Sequence, residues 1–451
     1  MKANHREQFT SRIGFIMAAT GSAVGLGNIW GFPTQAANNG GAAFVLVYVI
    51  FTCILAYPAL MAELVIGRHT RSNMVAALPK IAANRRWRSI GKLTGLCGVL
   101  VSSLILAFYA IVAGWMMAHI LSPPAAAIGL PALSSWLTDF SVSRNLTFSL
   151  LFSMLTISVV ANGVRDGIER WSSRLMPTLI LLIVLIIIYV FTQEGAVRGL
   201  KVYLIPDFSL VGNPQLLINA MGQAFFSLSL GVGTMLIYGS YIREDENLPL
   251  VGALVAATDT GVALLAGLLI IPAAFVALNK GVPIYDAEGL LIAGPDLILQ
   301  ILPLLFDSLG LIGTAIAVVF FSLMTIAALT SSISMLEVPV AFAIESFQLS
   351  RDKAAWITGV LIFFMSTLII VYFDRLFGFV VDLTTKYSQP FLAAVLCIFA
   401  GWVLHRNRLL DEIRSGYTNA EFGWFWKIWP IYIRFVCPLL IIVLFVQGIV
   451  D

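Results

Sequence analysis

Gly21-Ser22-Ala23-Val24-Gly25-Leu26-Gly27-Asn28 sits in the middle of an apolar segment, 12–37, long enough to cross a bilayer as a helix. A second run of the same character, Ser227-Leu228-Ser229-Leu230-Gly231-Val232-Gly233, sits in the middle of segment 215–241. Glycine costs a helix interior about 1 kcal/mol relative to alanine, so each run predicts a helix interrupted at its centre. An interruption frees backbone N–H and C=O groups, which are tolerated at membrane depth only where they meet protein, water or a ligand. Two interrupted helices at corresponding places in two halves of a chain point to a transporter's binding site. Close helix packing through small residues is the competing account of such glycines.

The rest of the 451-residue chain agrees with a membrane setting. Hydrophobic residues make up 59%, charged residues 11%, and mean hydropathy is +0.93. Soluble domains carry about 25% charged residues, so this chain has too few charges to cover a water-facing surface. It reads as an all-α polytopic membrane protein. Apolar runs of membrane-spanning length exclude nucleic-acid binding and soluble enzymology, and with a net charge of only +3 and no basic stripe neither an anionic polymer nor a lipid-binding tail is implied.

Hydropathy gives about eleven spans: 12–37, 43–67, 90–121, 146–162, 171–192, 215–241, 248–279, 310–344, 354–374, 378–404 and 427–449. No soluble domain separates them, so 1–451 is one transmembrane domain. Ser122-Pro123-Pro124, Asn213-Pro214, Gly294-Pro295 and the polar Arg406–Thr418 stretch punctuate the chain. With these bounds 20 of the 27 lysines and arginines, from Lys2 to Lys427, fall on one side. The positive-inside rule makes that side cytoplasmic, with the amino terminus inside and Asp451 outside. The two interrupted segments lie five spans apart, so 12–192 and 215–404 read as repeats of opposite orientation, with 427–449 an additional C-terminal helix. The polar leader Met1–Phe9 shows no cleavage site and is expected to be retained. Cys53, Cys97, Cys397 and Cys437 are scattered through apolar runs, which favours packing over disulfide or metal roles.

Several motifs, in order along the chain, carry a resemblance. They are Arg12-Ile13-Gly14-Phe15, Gly21 through Trp30, Phe32-Pro33, Asn39-Gly40-Gly41-Ala42-Ala43-Phe44, Gly222-Gln223-Ala224-Phe225-Phe226-Ser227-Leu228-Ser229-Leu230-Gly231 and Ala327-Ala328-Leu329-Thr330-Ser331-Ser332. Together they resemble the neurotransmitter:sodium symporters, a family that is itself a known instance of the broken-helix architecture. The resemblance implies a five-plus-five inverted repeat, sodium-coupled uptake of a small molecule by alternating access, and, from the eleven-span pattern seen among bacterial members, a bacterial inner membrane.

Sodium is a hard cation that needs oxygens, and a helix interior offers them only where its carbonyls are freed. The resemblance implies two ions. One site would use the carbonyls of Gly21, Val24 and Ala327 with the hydroxyls of Thr330 and Ser331. The other would use the Ala23 carbonyl, Asn28, Ser227 (more often Thr in relatives) and one oxygen of a substrate carboxylate. For Thr330-Ser331-Ser332 alone, hydrogen bonding between helices or back to the preceding turn is the plainer reading. Asp259, on the seventh span, would either ligate sodium or replace the chloride that many animal relatives need, so chloride is expected to be dispensable.

The substrate carboxylate would meet the amides of Gly25, Leu26 and Gly27, a positive half-helix end, and the hydroxyl of Tyr109. Relatives that carry monoamines place Asp where this chain has Gly25, so the ligand should bring its own carboxylate, as an amino acid does. By the same matching Ser22, Ile105, Phe226, Ser229, Val232 and Met335 line its side-chain pocket. They carry no charge, and a charged ligand group would be desolvated without a partner. A neutral, bulky aliphatic or aromatic amino acid is expected.

Glu63, Asp259, Glu337 and Asp382 are acids within apolar spans, functional candidates by default; the resemblance implies that Glu63 and Glu337 hold unwound backbone by hydrogen bonds, with buried structural pairing as the plainer account. Arg6 and Phe9 resemble an inner gate, with Ser240, Tyr241 and Glu345 as counterparts, although counting from Pro339 reaches Ser346. At the outer gate the family's arginine is replaced by Gly31. Asp382 has Lys386 four residues on, and the two, with Gln35 across the vestibule, are expected to form a looser gate. His5, His69, His119 and His405 fall at span ends. A rival reading remains open: an amino-acid-binding sensor or scaffold of the same fold that does not transport.

Overall fold

The computed structural model describes residues 6–206, 208–287, 289–292, 296–417, 420 and 423–450; Lys2, His5, Gly294-Pro295, Thr418 and Asp451 lie outside the described residues. Among the described residues nine helices are long and apolar enough to cross a membrane, beginning with Ala42–Thr70 and ending with Phe425–Ile449. A tenth crossing is the pair Arg12–Ala23 and Gly27–Asn38, which meet at 61°. Pro214–Ser227 and Thr234–Gly239, two shorter helices separated at 228–233, occupy the expected sixth span. The protein is all-α, with its first and sixth spans broken at the two glycine runs.

Local chemistry accounts for both breaks. The first helix starts at Ser11, whose hydroxyl accepts from the Gly14 amide at 2.9 Å. It ends where Val24 turns extended at ψ 109°, and the chain restarts on Asn28, whose side-chain oxygen accepts from the Gly25 amide at 3.2 Å. In the sixth span Ser229, Gly231 and Gly233 all have positive φ, 51°, 88° and 83°. Gly231 is obligatory twice over, since a Cβ there would also lie 2.3 Å from the Gln389 carbonyl. The freed amides of Gly231 and Leu236 donate to Glu63 at 2.7 and 3.3 Å. That carboxylate is 2% exposed, and it replaces the helical bonds that the break gives up.

The third span departs from expectation. The helix Arg85–Ala127 runs through Ser122-Pro123-Pro124 rather than ending there. Its outer end is clamped to the short helix Pro131–Thr138, where the Ser134 hydroxyl donates to the Ser122 carbonyl at 3.1 Å and the two hydroxyls lie 3.0 Å apart. This long helix packs along Gly310–Phe347, the eighth span, and both flank the first break. Apolar side chains that face outward, such as Leu181, Leu185 and Ile188 on the fifth span and Leu361, Phe364 and Leu368 on the ninth, are exposed as lipid contacts would be.

The segment before the first span is tied down at its inner end. Glu169, on Val164–Val190, accepts from the Thr10 amide and hydroxyl at 2.8 and 2.7 Å and from the Ser11 hydroxyl at 3.0 Å. Gly14 lies directly beneath that carboxylate, where any side chain would overlap it. Glu412, on the interfacial helix Arg406–Arg414, pairs with Arg68 at 2.6 Å and with His69 at 3.3 Å. Burial alone would raise the Glu412 carboxyl, but His69 and Arg68 outweigh it and hold it below the usual range.

Candidate functional site

The two breaks face one another across a cavity of about 250 Å³. Its wall includes Ala23, Gly25, Leu26, Gly27 and Asn28 from the first break, Phe226, Ser229 and Val232 from the sixth span, Ile105 and Tyr109 from the third, and Ser331 and Met335 from the eighth. No charged side chain lines it. Phe226 is 37% exposed, so the cavity is not sealed on that side.

Polar groups gather at its floor. The Leu26 amide donates to the Tyr109 hydroxyl at 3.1 Å. A Cβ at Gly25 would lie 2.8 Å from that hydroxyl and 2.9 Å from the Ser331 hydroxyl, so the position has no room for a side chain. Of the three amides expected to receive a carboxylate, those of Gly25 and Leu26 are thus engaged within the protein. The neighbouring Gly27 carbonyl accepts from Gln223 at 3.1 Å.

Ser331 donates toward the carbonyls of Val24 at 3.0 Å and Gly21 at 3.3 Å. Thr330 donates toward Ala327 at 3.1 Å and Ile326 at 3.2 Å, and its Cβ would lie 3.1 Å from a Cβ on Gly21. Gly21, Val24, Ala327, Thr330 and Ser331 therefore converge. The Thr330 hydroxyl is at the same time bonded to its own preceding turn, as the plainer reading of the trio anticipated.

On the opposite flank Asp259 is fully buried. It accepts from the Asn28 amide at 2.8 Å and from the Ser227 hydroxyl at 2.5 Å. Asn28 also donates to Ser227 at 2.8 Å, and the Tyr48 hydroxyl donates to Ser227 at 3.2 Å. A single buried carboxylate, wrapped in neutral hydroxyl and amide groups and paired to no arginine or lysine among the described residues, is costly unless a cation joins it.

Two expected placements need correction. Ser22 does not line the cavity: its hydroxyl donates to Ser334 at 2.7 Å within the packed interior, while its carbonyl accepts from Ser229. Gln35 is engaged elsewhere: its side-chain oxygen accepts from Asn39 at 3.0 Å, in an amide network that continues to Asn219, and it lines a cavity separate from the one between the breaks. Asp382 and Lys386 do pair, at 3.1 Å, both about half exposed. The cavity wall, however, takes Thr385 and Gln389 from that helix, and Gly31 faces Gln223 rather than Asp382.

At the lysine- and arginine-rich end of the first span lies Arg6. It forms an ion pair with Glu345, donates to Ser240 at 2.9 Å and stacks its guanidinium 4.9 Å from the Tyr241 ring. Glu345 is anchored in turn by Asn73, whose side chain donates at 2.7 Å. Phe9, 2% exposed, wedges against Phe15, Tyr238 and Tyr241. Behind them Glu337 accepts from Tyr241 at 2.5 Å and from Arg351 at 2.6 Å. The reading by motif passed over Tyr48, Gln223, Thr385 and Gln389. Gln223 lies inside a quoted motif, and Tyr48 is a lone hydroxyl in the run Phe44–Phe51, but nothing in sequence marks Thr385 or Gln389.

Comparison with known proteins adds an independent finding. The sequence model of the sodium:neurotransmitter symporter family matches residues 6–129 and 130–451. An uncharacterized sodium-dependent transporter of Bacillus subtilis, YhdH, is 37% identical over 98% of this chain and 97% of its own. One from Haemophilus influenzae is 32% identical over 98% of both. The crystal structure of MhsT in complex with L-phenylalanine superposes with a TM-score of 0.82, at 35% identity, over 98% of this chain and all of that one.

Proposed function

From the premise that this chain belongs to the sodium:neurotransmitter symporter family, and is a sodium-dependent multi-pass membrane transporter, we propose that its cargo is a neutral amino acid with a bulky apolar or aromatic side chain. The observation that carries the reading is the uncharged cavity of about 250 Å³ with its apolar wall and a polar floor at the first break. It lies just under the range of about 300–1,000 Å³ that suits drug-sized ligands, which fits an amino acid. The likeness to a protein crystallised with phenylalanine supports the same class.

In this reading the ligand's carboxylate takes the Tyr109 hydroxyl, the Leu26 amide and Gly27, its amino group takes freed carbonyls of the two breaks, and its side chain lies among Ile105, Phe226, Val232 and Met335. One sodium is held by Gly21, Val24, Ala327, Thr330 and Ser331. The other is held by Ala23, Asn28, Ser227 and the ligand carboxylate, with Asp259 supplying the fixed negative charge that makes chloride unnecessary. Accepting sodium requires the Ser331 and Asn28 hydrogen bonds to be exchanged for ion contacts, so ion and ligand order the floor together.

Segments 12–192 and 215–404 act as inverted repeats in a bacterial inner membrane, with the amino terminus cytoplasmic and the carboxyl terminus outside. The Arg6, Phe9, Ser240, Tyr241 and Glu345 contacts close the inner path while the cavity stays accessible beside Phe226. Proteoliposomes loaded without sodium and diluted into sodium should accumulate labelled phenylalanine, leucine or tryptophan above equilibrium. Binding without sodium-driven accumulation overturns the proposal and identifies a sensor instead.

A further inference from the structure

The last helix, Trp424–Val450, carries Arg434 ten residues from its start, about 15 Å along the axis at 1.5 Å per residue. A charge at that depth is costly and is met by a partner or by reaching back to an interface. Side chains lean toward their helix's N-terminus, which turns Arg434 toward the end that bears Lys427 and Arg406. Its Nε donates to the Gly401 carbonyl at 2.9 Å, and its guanidinium carbon lies 4.9 Å from the Trp402 ring centre. Trp402 returns a hydrogen bond to the Arg434 carbonyl at 2.9 Å. These contacts fix the guanidinium while its two terminal nitrogens keep no hydrogen-bond partner among the described residues.

Arg406 repeats the pattern. It stands 5.5 Å from the Trp426 ring centre and meets no carboxylate among the described residues. Arg406, Lys427 and Arg434 line one cavity of about 100 Å³ between the end of the tenth span and the last helix, and the described residues that line it include no acid. At about 30 Å³ of liquid per water molecule, that is room for a phosphate group and not for a whole lipid. Beside the cavity is exposed apolar surface: Ile431 lines it, and Trp402, which holds Arg434, packs its ring 5.3 Å from that of Phe435.

We propose that this cavity binds the phosphate of an anionic phospholipid from the leaflet on the lysine- and arginine-rich side, with its acyl chains lying along Trp402, Ile431 and Phe435. The guanidinium fork matches phosphate oxygens in geometry as well as charge. Basic pockets between spans at that side of a membrane are suited to anionic head groups. Ordinary positive-inside charges sit in loops, where water solvates them. Arg434 sits within the span, held side-on by an indole with its fork open, and a free phosphate ion would leave the adjoining apolar wall uncovered.

Native mass spectrometry of the full-length protein in detergent, titrated with phosphatidylglycerol, with phosphatidylcholine and with inorganic phosphate, tests this. The expected result is one tightly retained phosphatidylglycerol per chain, at least tenfold tighter than phosphatidylcholine, with no adduct from millimolar phosphate. Arg406→Ala, at an exposed site, and Arg434→Lys, which keeps the charge but removes the fork, should each cut that preference severalfold, and together abolish it. Equal retention of the two lipids, an undiminished preference in the double variant, or phosphate binding as tight as the lipid would each overturn the assignment.

Discussion

Replacing Asp259 by asparagine removes the one charge facing Asn28 and Ser227 while keeping the shape of the side chain. The carboxylate lies 2.8 Å from the Asn28 amide and 2.5 Å from the Ser227 hydroxyl, so a cation bound by those two groups is at or next to contact with it. Two unit charges at about 4 Å and an effective dielectric of about 20 attract by about 4 kcal/mol, or nearly a thousandfold in binding. That is an upper bound, because the asparagine oxygen can still ligate and the desolvation of a buried carboxylate is relieved. A loss of ~1.4–4 kcal/mol raises the sodium half-saturation concentration tenfold to a thousandfold. Sodium titrations of amino-acid binding by the purified variant, in chloride and in gluconate, measure it directly. Chloride should recover part of the loss in the variant and do nothing for the wild type. An unchanged sodium dependence in Asp259→Asn, or wild-type uptake abolished in gluconate, refutes the reasoning.

Asn28→Ala and Ser331→Ala each delete a group expected to contact sodium, and a lost interaction of about 1.5 kcal/mol should weaken sodium binding about tenfold. Linkage requires amino-acid affinity to fall in parallel, and a variant that separates the two affinities in equilibrium binding would break the assignment. Gly25→Ala places a methyl group against Tyr109 and Ser331; overpacking of about 1–3 kcal/mol should lower amino-acid affinity by about fivefold or more in the same binding assay. Lys386→Ala removes a pair exposed by about half on each side and worth about 0.3–0.5 kcal/mol, so transport kinetics should stay within about twofold, whereas a large rise in accessibility of a vestibule cysteine would make the pair a gate. Glu412→Gln strips the partner from Arg68, which is 0% exposed, and should cost ~3 kcal/mol at neutral pH. Because the Glu412 carboxyl is held below its usual 4.5 in the folded protein, its contribution is full above that value and is lost as pH falls through the depressed one. Thermal unfolding of wild type and variant should therefore differ at pH 7 and converge in acid.

The broken helices were legible because their cause is local. Glycine at 25, 27, 231 and 233 opposes a helix whatever surrounds it, and the spans around them are fixed by length and hydropathy alone. The third span shows where local punctuation misleads. Ser122-Pro123-Pro124 reads as a stop, but the helix runs on to Ala127, with Ser134, twelve residues on, folded back to bond the Ser122 carbonyl. No pattern within the span carries that tertiary contact. The role of Glu63 was legible only through the resemblance, which implies that it holds unwound backbone; the particular amides it serves, those of Gly231 and Leu236, are 168 and 173 residues away and no local pattern points to them.

At the candidate site, main-chain and side-chain assignments differ in how far sequence carries them. A freed carbonyl or amide stays where the break puts it, so Gly21, Val24, Gly25 and Leu26 fall at the cavity or beside Ser331 as their place in the run implies. A side chain has a choice of faces, settled by a neighbour from another span. Ser22 is turned away by Ser334, Gln35 is drawn off by Asn39, and Gly31, which has no side chain to read, faces Gln223. The consequence for the outer gate is specific. With Gly31 facing Gln223, and Gln223 already donating to the Gly27 carbonyl, the outer half of the first span is tied to the outer half of the sixth by an amide rather than to the tenth span by an ion pair. In the proposed transport cycle, closure from outside would then depend on Phe226, Tyr109, Thr385 and Gln389, which line the cavity, packing over a bound ligand. An apolar ligand strengthens such packing and water does not, so the vestibule has a physical reason to stay open until the cavity is filled.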